Sequence, residues 1–365
     1  MKHRRSPLIP IAAQPGGGGG GRGASGRGGG GGGGGPRPTG VPAANRVYVI
    51  ASDGSLRTLN VQTGTEVDPP VKFLSPGAKA SGIIAIDGTV FAATADGCGG
   101  NANGIHAIDL ASKNASSWKT SGGSVAGIAG AAFSLDGTLF AATTDGEVVA
   151  LDSKTLQMKD SFSAGKSAFN SSPSVFSSGG KSVVAVSNSD GKIYLLDGAS
   201  LKTALATSTK YVNPAPNTTA GVISTFKDAD GTVWLFAAAV GTLAADTKFP
   251  LNNGTVTDGA IVAFKVVDQA GKPSLQPAWV SRDMATPLAP AISNGVVFAL
   301  ASGAQSSKPA VLYALDAKSG KDLWNSGTTI TTHASANAGL AVSASQLYFG
   351  TVDGTLWTFG YYMEH

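Results

Sequence analysis

The residues of this 365-residue chain whose types and spacing could do chemistry are few and scattered. Asp283 stands beside Arg282. A carboxylate in that setting can serve as a general base, or simply form one half of an ion pair at a structural junction. Cys98 sits in a Gly-Cys-Gly-Gly run and is the single cysteine, so an intramolecular disulfide is excluded. It could be a reactive thiol or a metal ligand, but neither a second thiol nor a helix start is there to activate it, and a plain loop cysteine is the simpler reading. The four histidines, His3, His106, His333 and His365, share no metal-ligand spacing. His106 alternates within a predicted strand and reads as structural. The run Asp228-Ala-Asp-Gly231 has the start of a calcium loop without its length or its terminal Glu, and reads as a hairpin turn. No GxSxG elbow and no phosphate-binding loop is present.

The elements that must position these residues are set by one repeated phrase. Its clearest copy, LFAATTDGEVVALDSKTL, covers residues 139–156. It predicts two strands joined at Asp145-Gly146, because a two-residue hairpin turn needs positive φ and Asp-Gly supplies it. The phrase recurs from Val47, Val183 and Leu347, and with insertions at the turn from Val90 and Val297; a longer copy spans residues 233–264. The undisturbed copies lie roughly 43–49 residues apart, the period of four-stranded propeller blades. The chain is therefore expected to be all-β, a propeller with about seven blades visible. These run from residue 47 to 73, 82 to 120, 125 to 162, 171 to 208, 221 to 280, 287 to 325 and 339 to 359.

Apolar residues make up 42% of the chain, charged residues 14%, and Gly is abundant at 51, as turn-rich β structure requires. The net charge of +4 is thin over so large a surface and gives no case for a polyanion. No stretch is long and apolar enough for a membrane span. Residues 6–12 (SPLIPIA) read as a first strand of blade one. The glycine tract of residues 16–35 is then a disordered insertion or linker, within residues 16–45, ahead of the propeller proper at 46–365. Arg22 and Arg27 in that tract invite an RNA-binding reading, but two arginines without interleaved aromatics favour a linker, so no nucleic-acid partner is expected. The last blade shows three strands only and is expected to be incomplete. A segment before the present start, with a closing strand, possible further blade and export signal, would account for that; an incompletely closed ring is the alternative.

The run Tyr313-Ala-Leu-Asp-Ala-Lys-Ser-Gly-Lys-Asp-Leu-Trp324 resembles the pyrroloquinoline-quinone (PQQ) repeat. Ala314, Asp316, Ser319, Gly320 and Trp324 fill its places, with Ser for the usual Thr. The Asp and Ser-Gly can form the turn between third and fourth strands, and the Trp can dock on a neighbouring blade. Blade two echoes the pattern at Ala107, Asp109 and Trp118, and blade one at Asn60, Thr63 and Gly64; blades three, four and seven keep only the hairpin. The chain is similar to secreted bacterial PQQ-binding-like β-propeller repeat proteins, the Gly97-Cys-Gly-Gly insertion and the ending Tyr362-Met-Glu-His365 prompting that likeness. The resemblance implies a superfamily that holds quinoprotein alcohol dehydrogenases and a non-enzymatic lipoprotein of outer-membrane assembly, so it leaves function open.

In such a ring the loops joining second to third strands share a face with those leading into the next blade. The insertions of blades two, five and six all fall there, and long loops on a rigid scaffold are where binding concentrates. Candidate ligand-binding residues on that face are Cys98, Asn101, Asn103, Lys166, Tyr211, Arg282, Asp283 and His333. Phe169, Asn213, Lys248, Asn252 and Asn337 lie on the same loops. The leading expectation is a non-catalytic binding or scaffold propeller, a periplasmic or secreted monomer engaging a protein or small ligand there. The second is a quinoprotein oxidoreductase of alcohols or sugars with PQQ and calcium in the funnel, or a fragment of one. The resemblance implies for that case a catalytic Asp, a calcium held by oxygen ligands and often a vicinal cysteine pair. One cysteine rules out the pair, carboxylates on the face are few, and Asp283 is the one base candidate to test.

Overall fold

The computed structural model describes residues 3–5, 45–215, 221–269, 272–304, 308–343 and 346–360. These residues form a seven-bladed β-propeller of antiparallel sheets. Blade two shows the plan: Lys79–Ile86, Thr89–Ala95, Gly104–Asp109 and Ala115–Lys119, each strand beside the next. Blades three to six repeat it, and blade one shows three strands among the described residues, Arg46–Ile50, Ser55–Asn60 and Glu66–Lys72. In blades two to six the second strands are buried on both faces, as in Thr138–Ala142 and residues 183–187 of Lys181–Ser187. They are apolar throughout rather than alternating because each of these blades is packed between two others, whereas Arg46–Ile50 of blade one and Gln346–Gly350 of blade seven alternate.

Two expectations about the chain start meet the structure differently. Residues 6–12 and the glycine tract lie outside the described residues. Blade seven, expected to lack its fourth strand, has one: His3–Arg5 pairs with Leu356–Thr358 at the sheet edge, in parallel rather than antiparallel register. That register differs from all other pairings within the blades, and a three-residue strand was too short to be seen in the sequence.

The turn between third and fourth strands explains the repeat. In blade six Asp316 Oδ1 accepts hydrogen bonds from the amide and hydroxyl of Ser319, at 2.8 and 2.6 Å. Gly320 then takes φ +69° and its amide returns to the Asp316 carbonyl at 2.8 Å. Side-chain acceptors two and three residues before a turn amide are the usual device of Asx turns. The same turn stands in blade two on Asp109 and Ser112, and in blade one on Asn60 and Thr63. Blade three, read from sequence as keeping only the hairpin, also has it: Asp152 accepts from Thr155, and Leu156 occupies the glycine place at φ +56°. A buried leucine in the left-handed region hid the motif, because its burial against blade two offsets a backbone strain of about 1–2 kcal/mol.

The carboxylates of two of these turns are held below their ordinary range, Asp109 chiefly by the Ser112 amide and Asp152 by the Thr155 amide; so is Asp353 in the hairpin between second and third strands of blade seven, chiefly by the Thr351 hydroxyl, down to about 2. Depressed folded values mean the stabilisation is fully present above the unfolded carboxylate value near ~4 and is lost as pH falls through the folded values. The melting temperature should therefore be level from about pH 7 to 5 and fall between about pH 4 and 2, which calorimetry across that range would read.

Aromatic side chains on the fourth strands of blades three, five and six meet the next blade. Trp324 of blade six meets Phe359 of blade seven edge-on at 5.7 Å, as the repeat implies. Phe162 of blade three meets Tyr194 of blade four at 5.7 Å. Trp279 of blade five lies over the blade-six turn, its Nε1 donating to the Ala317 carbonyl at 3.0 Å.

Candidate functional site

The expanded blade-two loop is built by its own polar residues. Gly97, Gly99 and Gly100 take positive φ and coil the loop into one tight turn over Cys98–Gly100. Asn103 locks it, accepting from the Gly97 amide at 2.8 Å and donating to the Gly123 carbonyl at 3.0 Å. Asn101 accepts from the Ser75 amide at 3.1 Å and donates to the Cys98 carbonyl at 3.1 Å. Both amides are thus committed to joining blade two to its neighbours. Cys98 is half-buried with a free thiol. Below the loop, His106 Nε2 sits 2.9 Å from Thr94 Oγ1 and 3.2 Å from the Ala102 carbonyl, and burial lowers its pKa. It is a structural residue, as its alternation in the strand implied.

Arg282 and Asp283 do not pair with each other. Arg282 Nη1 donates to Asp322 at 3.0 Å and its guanidinium lies 5.3 Å from the Tyr313 ring centroid, joining blade five to blade six. Asp283 accepts from the Thr257 amide and hydroxyl at 2.9 and 2.7 Å, and from the amides of Asp258 and Gly259 at 2.8 and 3.3 Å. Burial pushes this carboxyl up, but the Thr257 hydroxyl and the three amides outweigh it and hold it below the usual carboxylate range. A carboxylate so satisfied is a weak proton acceptor near neutral pH. Its chemistry is that of an anchor at the foot of the blade-five insertion. Asp283→Ala should lower stability by about 1–3 kcal/mol and speed amide exchange across residues 244–258, whereas Asp283→Asn should do much less. Hydrogen exchange with mass spectrometry would measure it.

That insertion arches over the outer part of its own blade. Phe249 packs edge-on to Phe264 at 5.2 Å, and Asn253 Nδ2 donates to the Val280 carbonyl at 2.7 Å and to the Ser319 carbonyl at 3.2 Å. Asn253 is an anchor that sequence reading missed, because its partners lie in two other segments. Tyr211, a candidate for the surface, is instead in the core at 1% exposure, edge-on to Phe264 at 5.9 Å, and burial pushes its hydroxyl pKa up. Phe169 is also buried. Lys166, Lys248, Asn252, Asn213 and Asn337 are exposed, His333 is half-buried, and the apolar Leu251 stands out at 56% exposure beside Asn252. The structure thus brings Asn101, Asn103 and Cys98 together in one loop, and sets Arg282 and Asp283 on separate partners. Lys166 and His333 belong to different blade connections.

One further pair on this face lies at the Asp145-Gly146 turn. Asp145 Oδ2 and Glu147 Oε2 both face Ser121 Oγ, at 3.3 and 3.2 Å, and Asp145 Oδ1 is buried without a hydrogen-bond partner. One hydroxyl carries one proton, so it cannot satisfy both carboxylates at once.

A PQQ and calcium site would need cations for a tricarboxylate and several converging oxygen ligands. The described first strands are Lys79–Ile86, Ala132–Phe133, Ser174–Ser178, Ser224–Lys227, Ala291–Ser293 and Ala341–Ser343, and those of blades three to seven adjoin in order. They carry Lys79 and Lys227 but no carboxylate and no arginine. Among the described residues no three His, Cys, Asp or Glu side chains are grouped to hold a metal. These residues do not fit the group. No helix is long and apolar enough to cross a membrane among the described residues.

No family model matches the chain, and no curated protein matches it. Solved structures do. The computationally designed Ika8 protein aligns with TM-score 0.55 at 17% identity, over 87% of this chain and 81% of that one. BamB from Moraxella catarrhalis aligns with TM-score 0.50 at 14% identity, over 88% and 81%. Quinohemoprotein alcohol dehydrogenase from Comamonas testosteroni aligns with TM-score 0.55 at 13% identity, over 84% of this chain and 61% of the enzyme. At these identities the likeness is one of fold: a propeller of the kind found in BamB and in a quinoprotein dehydrogenase.

Proposed function

We propose that this chain is a non-catalytic binding or scaffold propeller of the PQQ-repeat type. It engages a protein or small ligand on the face carrying the blade two, five and six insertions, and works outside the cytoplasm as a monomer. The observation that carries the reading is how the polar residues of that face are used. Asn101, Asn103, Asn253 and Asp283 are spent on fixing the loops in place. What remains presented is Lys166, Lys248, Asn252 and Leu251, a mixed surface on anchored loops. Preorganised loops suit binding because less ordering entropy is lost on association. The quinoprotein reading rests on likeness of fold, and the first strands offer it no carboxylate or arginine.

A photo-crosslinking residue placed at Asn252, compared with one at Lys181 in the turn of the opposite face, tests the placement. In extracts of the producing cells an adduct of defined mass is expected from position 252 and none from 181. Equal labelling at both, or labelling at 181 alone, would contradict it.

A further inference from the structure

Asparagine followed by glycine occurs three times in the chain, at Asn103-Gly104, Asn253-Gly254 and Asn294-Gly295. Asparagine is thermolabile because the amide nitrogen of the next residue can attack its side-chain carbonyl carbon. A following glycine leaves that approach open, since no Cβ stands in the way. The fold treats the three pairs differently. Asn103 accepts from the Gly97 amide at 2.8 Å and donates to the Gly123 carbonyl at 3.0 Å, and Gly104 lies tight against the Trp118 carbonyl. Asn253 Nδ2 is held by the carbonyls of Val280 and Ser319. Neither side chain can turn towards its own backbone without breaking two hydrogen bonds. Asn294 is exposed, in the turn between Ala291–Ser293 and Val296–Ala301, the first and second strands of blade six. Its φ of +50° and that of +75° at Gly295 are those of a primed two-residue hairpin turn. Among the described residues neither the Asn294 side-chain amide nor the Gly295 amide nitrogen has a hydrogen-bond partner. The space over Gly295 is open, with nothing within 4 Å of where a Cβ would stand.

We propose that Asn294-Gly295 is a self-modification site, at which the chain converts this asparagine to aspartyl and isoaspartyl forms with water as the one co-reactant. The Gly295 nitrogen gives its proton to a solvent base and bonds to Asn294 Cγ. The Cγ–Nδ2 bond breaks, the side-chain nitrogen takes a proton from solvent and leaves as ammonia, and a succinimide ring is closed. Water then opens the ring, and nothing is oxidised or reduced in either step. Attack at Cγ leaves an ordinary aspartyl peptide. Attack at the Asn294 main-chain carbonyl carbon leaves the chain running through the side chain, as isoaspartate. The first strand of blade six is three residues long, so the turn opens locally at low cost and lets the nitrogen reach Cγ. An aspartyl product fits the turn, because Asp tolerates the left-handed region as Asn does. An isoaspartyl product adds one atom to the backbone and strains the bond in which the Gly295 carbonyl accepts from the Ala317 amide, at 3.0 Å. Either product adds a negative charge to the face opposite the insertions.

The test ages the full chain in mildly alkaline buffer and maps it with trypsin and mass spectrometry. The tryptic peptide of residues 283–318 holds Asn294 as its sole asparagine, and fragment ions place the gain of one mass unit at that residue. In the folded chain Asn294 is expected to convert faster than Asn103 and Asn253 by about tenfold or more, and in urea the three rates should come within about threefold of one another, because the fold no longer protects two of them. Both products are expected at 294, the isoaspartyl one read by its methylation with an isoaspartyl methyltransferase. Equal rates in the folded chain, or conversion of Asn103 or Asn253 ahead of Asn294, would overturn the proposal. So would an Asn294 lead that persists unchanged in urea, since the fold would then not be selecting the site. Aspartate without isoaspartate would mean direct hydrolysis with no ring, and would overturn it as well.

Discussion

Trp279→Ala is expected to destabilise the propeller by about 3–5 kcal/mol, the range for emptying a buried indole site. The ring is 2% exposed, in the cluster that unites blades five and six, tilted on Phe236 at 5.6 Å. Its Nε1 bond to the Ala317 carbonyl is lost with it. Gly320 is the other half of the contact. A Cβ there would lie 2.3 Å from Trp279 Cε3, and φ is +69°. Gly320→Ala in the parent should therefore cost about 2–4 kcal/mol, from left-handed strain plus displacement of the indole. In the Trp279→Ala background the clash disappears and only the strain, about 1–2 kcal/mol, should remain. Urea unfolding of the four proteins forms a double-mutant cycle, and additive losses would show that the two residues are not coupled.

The second large effect is expected at Trp357. It is 2% exposed, stacked near Phe359 at 6.2 Å, and donates from Nε1 to Thr351 Oγ1 at 3.1 Å, fixing the Asp353-Gly354 turn of blade seven. Trp357→Ala should cost about 3–5 kcal/mol, while Trp357→Phe, which keeps most of the volume and loses the hydrogen bond, should cost about 1–2 kcal/mol. Trp357 also pairs with Arg4 across the parallel strand. The alanine variant should accordingly raise amide exchange at residues 3–5 more than at any strand of blade three. Chemical denaturation and hydrogen exchange would measure the two effects.

The blades were legible in the sequence because their determinants are local: Asp-Gly turns, alternating apolar runs, and an Asp placed three residues before a Ser or Thr. Leu156 escaped because a non-glycine residue fills a left-handed place, and only its burial shows why that is tolerated. His3–Arg5 escaped because three polar residues carry no strand signature. The site was legible only as a face. Which loops are long can be read from the chain, but which of their side chains are consumed as anchors depends on partners far away in sequence. Asn253 bonds Val280 and Ser319, Asp283 bonds Thr257, and Arg282 reaches Asp322. Adjacency of Arg282 and Asp283 suggested an ion pair that the fold does not make. Tyr211 read as a loop residue because its cover, Phe264 with Phe249 beside it, comes from the blade-five strand and insertion.

The proposed binding face needs no quinone. The measurement that tests it most directly is calorimetric titration of PQQ into the full chain, with and without calcium, alongside tryptophan quenching. No saturable heat is expected in either condition from protein shown to be folded. Saturable, calcium-dependent binding that weakens on Asp283→Ala, with the fold kept by Asp283→Asn as a control, would contradict the account and make the chain a quinoprotein.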